Sequence, residues 1–453
     1  MIKYKKIFLI IVVVFIFGAS SDFEIPNVKT ITLKNDLKIF YIKDNLPQIT
    51  LTAVLGFGKL HETSKTAGLS DVIAQMLQSG GTIKYPNNAL YQTIEQIGGK
   101  LRISAGYESL VVQIKVLARF KKLAFSILHE IITNPLFNKN SILHAKLLIS
   151  ARIKRIKDNP ASIAFIKARK IIFNGAGYGA EATIKNVKGF TLHQIKSLWE
   201  KIAVSKNIFL GISTSISFEE IKNQCNKFIN ITAGKRLQYF SDKLKIKQNL
   251  QTTKGKIYFY KKDIPQATIV MGTLAPAIKS QNVYSLDLMN YVFGGGSFNS
   301  WLMKEIRVKR GLAYSTGSVV RSRLHTGVFL SYAQTRAKSA ALVVKIMKQN
   351  IQKMKSSGVS PEELKWAKNS AINSYVFNFD SPGALLSNII DLKYYNLPDN
   401  YYNNYLTKIK KTTRNNILRA SKDLFGNPVV TILVGPEICK KQLEKKYKII
   451  TLK

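Results

Sequence analysis

Most of this chain spells one order of elements twice, and a sequence with that habit is confined to a fold of two similar halves. The first pass predicts strands over 29–33, 38–43 and 49–56, helices over 68–78 and 89–97, and paired strands within 101–116. Amphipathic helical spacing follows over 118–132 and 141–157, and a strand over 208–212 leads into a helix over 218–228. The second pass predicts a strand over 267–272 and helices over 284–293 and 301–307 on either side of Gly294-Gly295-Gly296. Strands over 313–322 and 327–335, helices over 340–356 and 361–375, and a strand over 429–434 complete it. Between the passes, the polar, lysine-rich stretch 235–256 reads as a linker. The expected fold is therefore α+β, with halves at 22–234 and 257–453.

At 453 residues and 46% hydrophobic composition the chain can bury more than one core. Its start, Met1-Ile2-Lys3-Tyr4-Lys5-Lys6, runs into an apolar stretch over 7–17 and then Gly18-Ala19-Ser20-Ser21. Those are the three parts of a secretory signal over 1–21, which predicts an exported, periplasmic protein. If the segment is left uncleaved, residues 7–19 would anchor the chain to a membrane, although the run is short for a span. Two cysteines, Cys225 and Cys439, allow either one disulfide or two thiols.

The formal charge of +43 favours acidic partners or anionic surfaces. The lysines are scattered among Ile and Asn, however, and no glycine loop, zinc knuckle or aromatic RNA-binding signature accompanies them. Nucleic acid is therefore not an expected partner.

The segment Gly68-Leu69-Ser70-Asp71-Val72-Ile73-Ala74-Gln75-Met76-Leu77 is amphipathic at helical spacing. Its frame, from Gly56-Phe57-Gly58 through Thr82, resembles the insulinase/pitrilysin family of zinc peptidases, whose helix carries an inverted HxxEH motif. That motif sets two histidines at i and i+4, with the general-base glutamate just before the second. Here the three positions hold Asp71, Ala74 and Gln75. The resemblance places a third ligand, a glutamate, in the segment Leu147-Leu148-Ile149-Ser150-Ala151-Arg152, at Ala151. An alanine side chain carries no ligand or base atom, so no metal site and no cofactor are expected in this chain. The five histidines, His61, His129, His144, His193 and His325, are never three to five residues apart, so they do not rebuild a ligand pair. His61-Glu62 reads as a turn between strand and helix.

The second half carries Phe293-Gly294-Gly295-Gly296-Ser297-Phe298-Asn299-Ser300-Trp301 and then Arg307 and Tyr314. Three glycines alone make a flexible connection, and the lysine and Ser/Thr of a phosphate loop are missing at the required spacing. From spacing alone, Arg307 could pair with Glu305 while Tyr314 packs in a strand. The family resemblance implies another role: an arginine and a tyrosine seven residues apart bind substrate peptide near the scissile bond. A guanidinium suits a peptide carbonyl, and a tyrosine hydroxyl can donate to a developing oxyanion.

The resemblance covers essentially the whole mature chain. It implies two homologous αβ-sandwich halves, each an antiparallel-rich sheet with helices on one face, around a chamber. It further implies the zinc-less subunit of a heterodimer, silent alone, whose zinc-bearing homologous partner would carry the metal and cleave the peptide. The alternatives are a noncatalytic periplasmic peptide-binding or scaffold protein and a basic protein that binds membrane or nucleic-acid surfaces.

Overall fold

The computed structural model describes residues 28–239 and 243–452. The expected signal segment, 1–21, and with it the anchor at 7–19, lies outside these. Two six-stranded sheets form the frame. The first contains β1 (Val28–Thr32), β2 (Lys38–Lys43), β3 (Gln48–Leu55), β4 (Lys100–Ala105), β5 (Leu110–Leu117) and β6 (Ile208–Thr214). The second contains β7 (Lys256–Lys261), β8 (Gln266–Ala275), β9 (Ala313–Arg321), β10 (Gly327–Arg336), β11 (Val430–Gly435) and β12 (Lys448–Leu452).

The strand orders are β1-β2-β6-β3-β5-β4 and β12-β7-β11-β8-β10-β9. Five positions correspond in both order and sense: β2–β6 and β7–β11 are parallel, and the remaining three contacts of each series are antiparallel. The sixth place differs. β1 precedes its sheet and runs antiparallel to β2, whereas β12 ends the chain and runs parallel to β7. Duplication and an antiparallel-rich α+β fold are thus as the sequence led us to expect.

Each half buries one sheet face under its own helices. On β2, Ile39 and Tyr41 join the first core with Val72, Ile73 and Met76 of the helix Leu69–Gly80. Ile269 and Met271 of β8 join the second with Val343, Val344 and Met347 of the helix Ala340–Ser356. The sequence reading contained no cover for the opposite faces, and each is supplied by the other half. The helix Pro160–Ile172, from the first half, packs Ile163, Ala164, Ala168 and Ile172 against Val270, Val328, Leu330 and Ile432 of the second sheet. Reciprocally, the helix Pro382–Tyr394 packs Leu386, Ile389 and Ile390 against Phe40, Ile42 and Val54 of the first. Because side chains alternate across a strand, both residue sets of β2 and β8 are buried, and the halves cannot part without exposing them.

Both crossing helices begin the same way. Asn159 and Ser381 cap them, accepting hydrogen bonds from the Ser162 and Ala384 amides at 2.9 and 3.2 Å, with proline at the first turn. A close approach is built into the first sheet as well: a Cβ on Gly211 of β6 would stand 2.6 Å from the Ile390 and Leu386 side chains.

The stretch 235–256 contains the helix Lys243–Gln251, whose Leu250 is buried with the Pro160–Ile172 helix. Arg236 donates to the Tyr394 carbonyl at 3.1 Å. Cys225 and Cys439 are both free thiols, buried in different cores, so no disulfide joins them. Burial pushes them up to about 12 and about 11. Among the described residues no helix is long and apolar enough to cross a membrane.

Candidate functional site

The helix Leu69–Gly80 starts where a positive φ of 96° at Gly68 turns the chain out of the preceding loop; a Cβ there would approach that of Ala182 to 2.9 Å. Its free amides are met by Glu62, which is buried. Glu62 accepts from the Gly68 amide at 3.0 Å, the Ser70 amide at 2.8 Å and the Ser70 hydroxyl at 2.6 Å. Burial nevertheless raises the Glu62 carboxyl above the usual range. His61 closes the short turn Lys59–His61, its Nδ1 accepting from the Gly58 amide at 3.3 Å, and burial drives its imidazole down to about 4. Both side chains are thus engaged in the turn and the helix start. At the far end, Gln78 donates to the Ile103 carbonyl of edge strand β4 at 2.6 Å.

Against this helix lies Lys139–Ile156, which carries Ala151, the fourth position that the family resemblance implies. Asp71, the first of them, accepts from Arg152 Nη2 at 2.8 Å; the Asp71 side chain is only 14% exposed. Ala74 is buried, Gln75 half-buried and Ala151 exposed. These residues do not fit zinc. The one carboxylate among them is bound to a guanidinium, a permanent cation next to Ala151, and neither alanine offers a ligand or base atom. Among the described residues, no three His, Cys, Asp or Glu side chains gather at metal-binding distance. Arg152 is the residue whose role the sequence reading missed. Its position beside Ala151 was visible, but its reach across to Asp71 was not.

The second-half motif forms a different kind of surface. Where the sequence predicts regular helices over 284–293 and 301–307, two widened segments occur, Tyr291–Gly295 and Met303–Val308. The Gly296 amide donates to the Tyr291 carbonyl and the Lys309 amide to Lys304, both five residues back. Such an extra residue per turn re-aims the side chains that follow. The glycines are there for close packing. A Cβ on Gly294 would stand 2.7 Å from the Ser318 amide of β9, one on Gly295 2.6 Å from Asn290 Nδ2, and one on Gly296 2.4 Å from the Trp366 ring.

On this frame Arg307 reaches a cluster with Phe298 and Tyr314. Its guanidinium carbon lies 5.1 Å from the Phe298 ring centre and 5.7 Å from that of Tyr314. Glu305 is not its partner, since it binds Lys309 at 2.7 Å and Arg310 at 2.5 Å. Tyr314 belongs to β9, yet its side chain is turned outward and 84% exposed; Phe298 is 56% exposed. The structure therefore brings Arg307 and Tyr314 together and adds Phe298, which the sequence reading quoted but did not single out.

Residues 38–183 match the family profile described as Insulinase (Peptidase family M16), and residues 189–371 match Peptidase M16 inactive domain. A Rickettsia felis protein named uncharacterized zinc protease is 25% identical over 413 residues, covering 89% of this chain and 96% of its own length. Helicobacter pylori non-peptidase homolog YmxG is 27% identical over 378 residues, covering 79% of this chain and 82% of its own. The β subunit of the mitochondrial-processing peptidase of Dictyostelium discoideum matches over 210 residues at 23% identity, 46% of this chain and 45% of that one. The fold is similar to the crystal structure of a peptidase M16 inactive domain from Pseudomonas fluorescens, with a TM-score of 0.80 and 20% identity over 90% of this chain and 98% of that one.

Proposed function

This chain belongs to the insulinase (M16) peptidase family, as an inactive-type member, and from that premise we propose that it is the zinc-less subunit of a two-subunit peptidase. On this reading it is exported, silent alone, and lends Arg307 and Tyr314 to a peptide held by a zinc-bearing homologue. The observation that carries the reading is the cluster that half-buried Arg307 makes with exposed Phe298 and Tyr314 on a closely packed frame. Phe298 and Tyr314 leave more than half of their surface in solvent, so folding gains little from burying them, whereas such faces suit a bound peptide. The donors match the chemistry: guanidinium N–H groups toward a peptide carbonyl, and a phenol toward the oxygen on which charge develops. On the same reading, the Arg152–Asp71 pair takes up a position that would hold the metal in the partner.

The test is reconstitution. The chain alone should cleave no unfolded peptide. Mixed with a co-purifying homologue that retains HxxEH, it should support cleavage. A homologue equally active without this chain would sink the subunit reading in favour of noncatalytic peptide capture. For the export claim, N-terminal sequencing of the mature protein should begin after residue 20 or 21; a soluble cytoplasmic chain starting at Met1 would refute it.

A further inference from the structure

Beside the Arg152–Asp71 pair lies a cavity of about 570 Å³, walled by the helices Lys139–Ile156 and Pro160–Ile172 and by residues 180–184. Its volume lies in the range of small-molecule sites, roughly 300–1,000 Å³. Two properties define what it would take. The walls are aliphatic: Ile149, Ile153 and Ile156 from one helix face Ile163 and Ile166 from the other. Among the described residues, no aromatic side chain lines it to stack a ring or a base.

The lining charge is unbalanced. Five cations, Lys59, Arg152, Lys157, Lys167 and Lys170, share the cavity with two carboxylates, Asp71 and Glu181. Both carboxylates are taken: Asp71 by Arg152, and Glu181 by Lys167 at 2.9 Å and Lys170 at 2.8 Å. Lys59 and Lys157 are left without a carboxylate among the lining groups. Arg152 also retains N–H donors beyond the one given to Asp71. An aliphatic space with surplus cations at its edge lacks one complementary thing, an anion carried on an apolar chain.

We propose that this cavity binds an aliphatic carboxylate, its chain between the isoleucines and its head among the surplus cations. Two sources share that chemistry: a free fatty acid, and the C-terminal carboxylate of a peptide ending in leucine or isoleucine. The site uses residues of this chain only, so it stands apart from pairing with a zinc-bearing homologue and from the Arg307 cluster.

The experiment is calorimetric titration of the full chain, alone, with decanoate and decanol, and with a short peptide ending in Leu-Leu as free acid and as amide. Saturable binding of at least one acid at one per chain is expected, with its neutral counterpart at least tenfold weaker, and the acid that binds names the source. Lys157→Met and Ile153→Trp, the second filling the space, should each weaken that acid about tenfold or more while the thermal transition is kept. The proposal is overturned if neither acid saturates below millimolar concentration, if acid and neutral form bind alike, or if folded variants bind like the original. Should either variant fail to fold, the acid-against-neutral comparison on the unaltered chain still decides.

Discussion

The two halves share a sheet, strand for strand at five of six positions, and differ in what they do with their surfaces. In the first, the helix Leu69–Gly80, which the family resemblance aligns with a metal helix, serves as a packing element. Val72, Ile73, Met76 and Leu77 are buried to 1% exposure or less, while the positions that the resemblance matches to the metal motif hold Asp71, Ala74 and Gln75. In the second, tight glycine packing supports a cluster left open to solvent. Fold and chemistry are thus separable. A core of dozens of buried aliphatic groups forms without metal ligands at Asp71, Ala74, Gln75 and Ala151, because burial supplies the stability.

The largest expected effects would break the comparison at its shared part. Ile390→Ala and Ile172→Ala each remove a fully buried side chain from a helix that covers the other half's sheet. Each should lose about 2–5 kcal/mol in urea unfolding, with both halves unfolding in one transition. Two well-separated transitions would show that the halves are independent after all.

Next comes the surface that differs. In the reconstituted pair, Arg307→Ala should cost about 1.5–3 kcal/mol of transition-state binding, roughly ten- to a hundredfold in kcat/KM. Tyr314→Phe should lower the rate by less and leave co-purification unchanged, since only a hydroxyl is lost. Mutants that assemble and cleave like the original would remove the functional contrast between the halves.

A gain-of-site variant sharpens the contrast from the other side. Asp71→His, Ala74→Glu, Gln75→His and Ala151→Glu together restore ligands and base, but Arg152 would remain beside them as a cation. Adding Arg152→Ala should tighten zinc binding by about tenfold, roughly 1.4 kcal/mol, as expected for removing one nearby like charge in a partly solvated site. Equal affinities in a chelator competition would mean that Arg152 does not oppose the metal.

The smallest effect is the cost of that arginine to the folded chain. Arg152→Ala leaves Asp71 unpaired, but the Arg152 side chain is 47% exposed, so water and salt screen the loss. A destabilisation of at most about 1 kcal/mol is expected by thermal melting, shrinking further at high salt. A larger loss would make the pair a structural keystone rather than a replacement at a vacated site.

Much of this was legible along the chain. Period-2 and period-3.6 patterns located most strands and about half of the helices, and their repetition gave the two halves. The crossing helices at 160–172 and 382–394 were not singled out, although Asn159-Pro160 and Ser381-Pro382 carry the same start signal in both halves: a capping side chain followed by proline. Their destination was hidden for a different reason. Thr50, Thr52 and Thr268 alternate with apolar neighbours as if one sheet face met water, yet all are buried. A threonine reads as polar in a pattern but packs through its methyl group once a helix covers it.

The sequence by itself determined the emptied motif, since no packing can give Ala74 or Ala151 a donor atom, and it determined the seven-residue spacing of Arg307 and Tyr314. Tertiary structure alone decided that Arg152 closes on Asp71, that Phe298 joins Arg307 and Tyr314, and that each half is roofed by the other. Those outcomes depend on which elements meet in space, and pairs such as Ile42 and Ile390, separated by most of the chain, share no local pattern that records their contact.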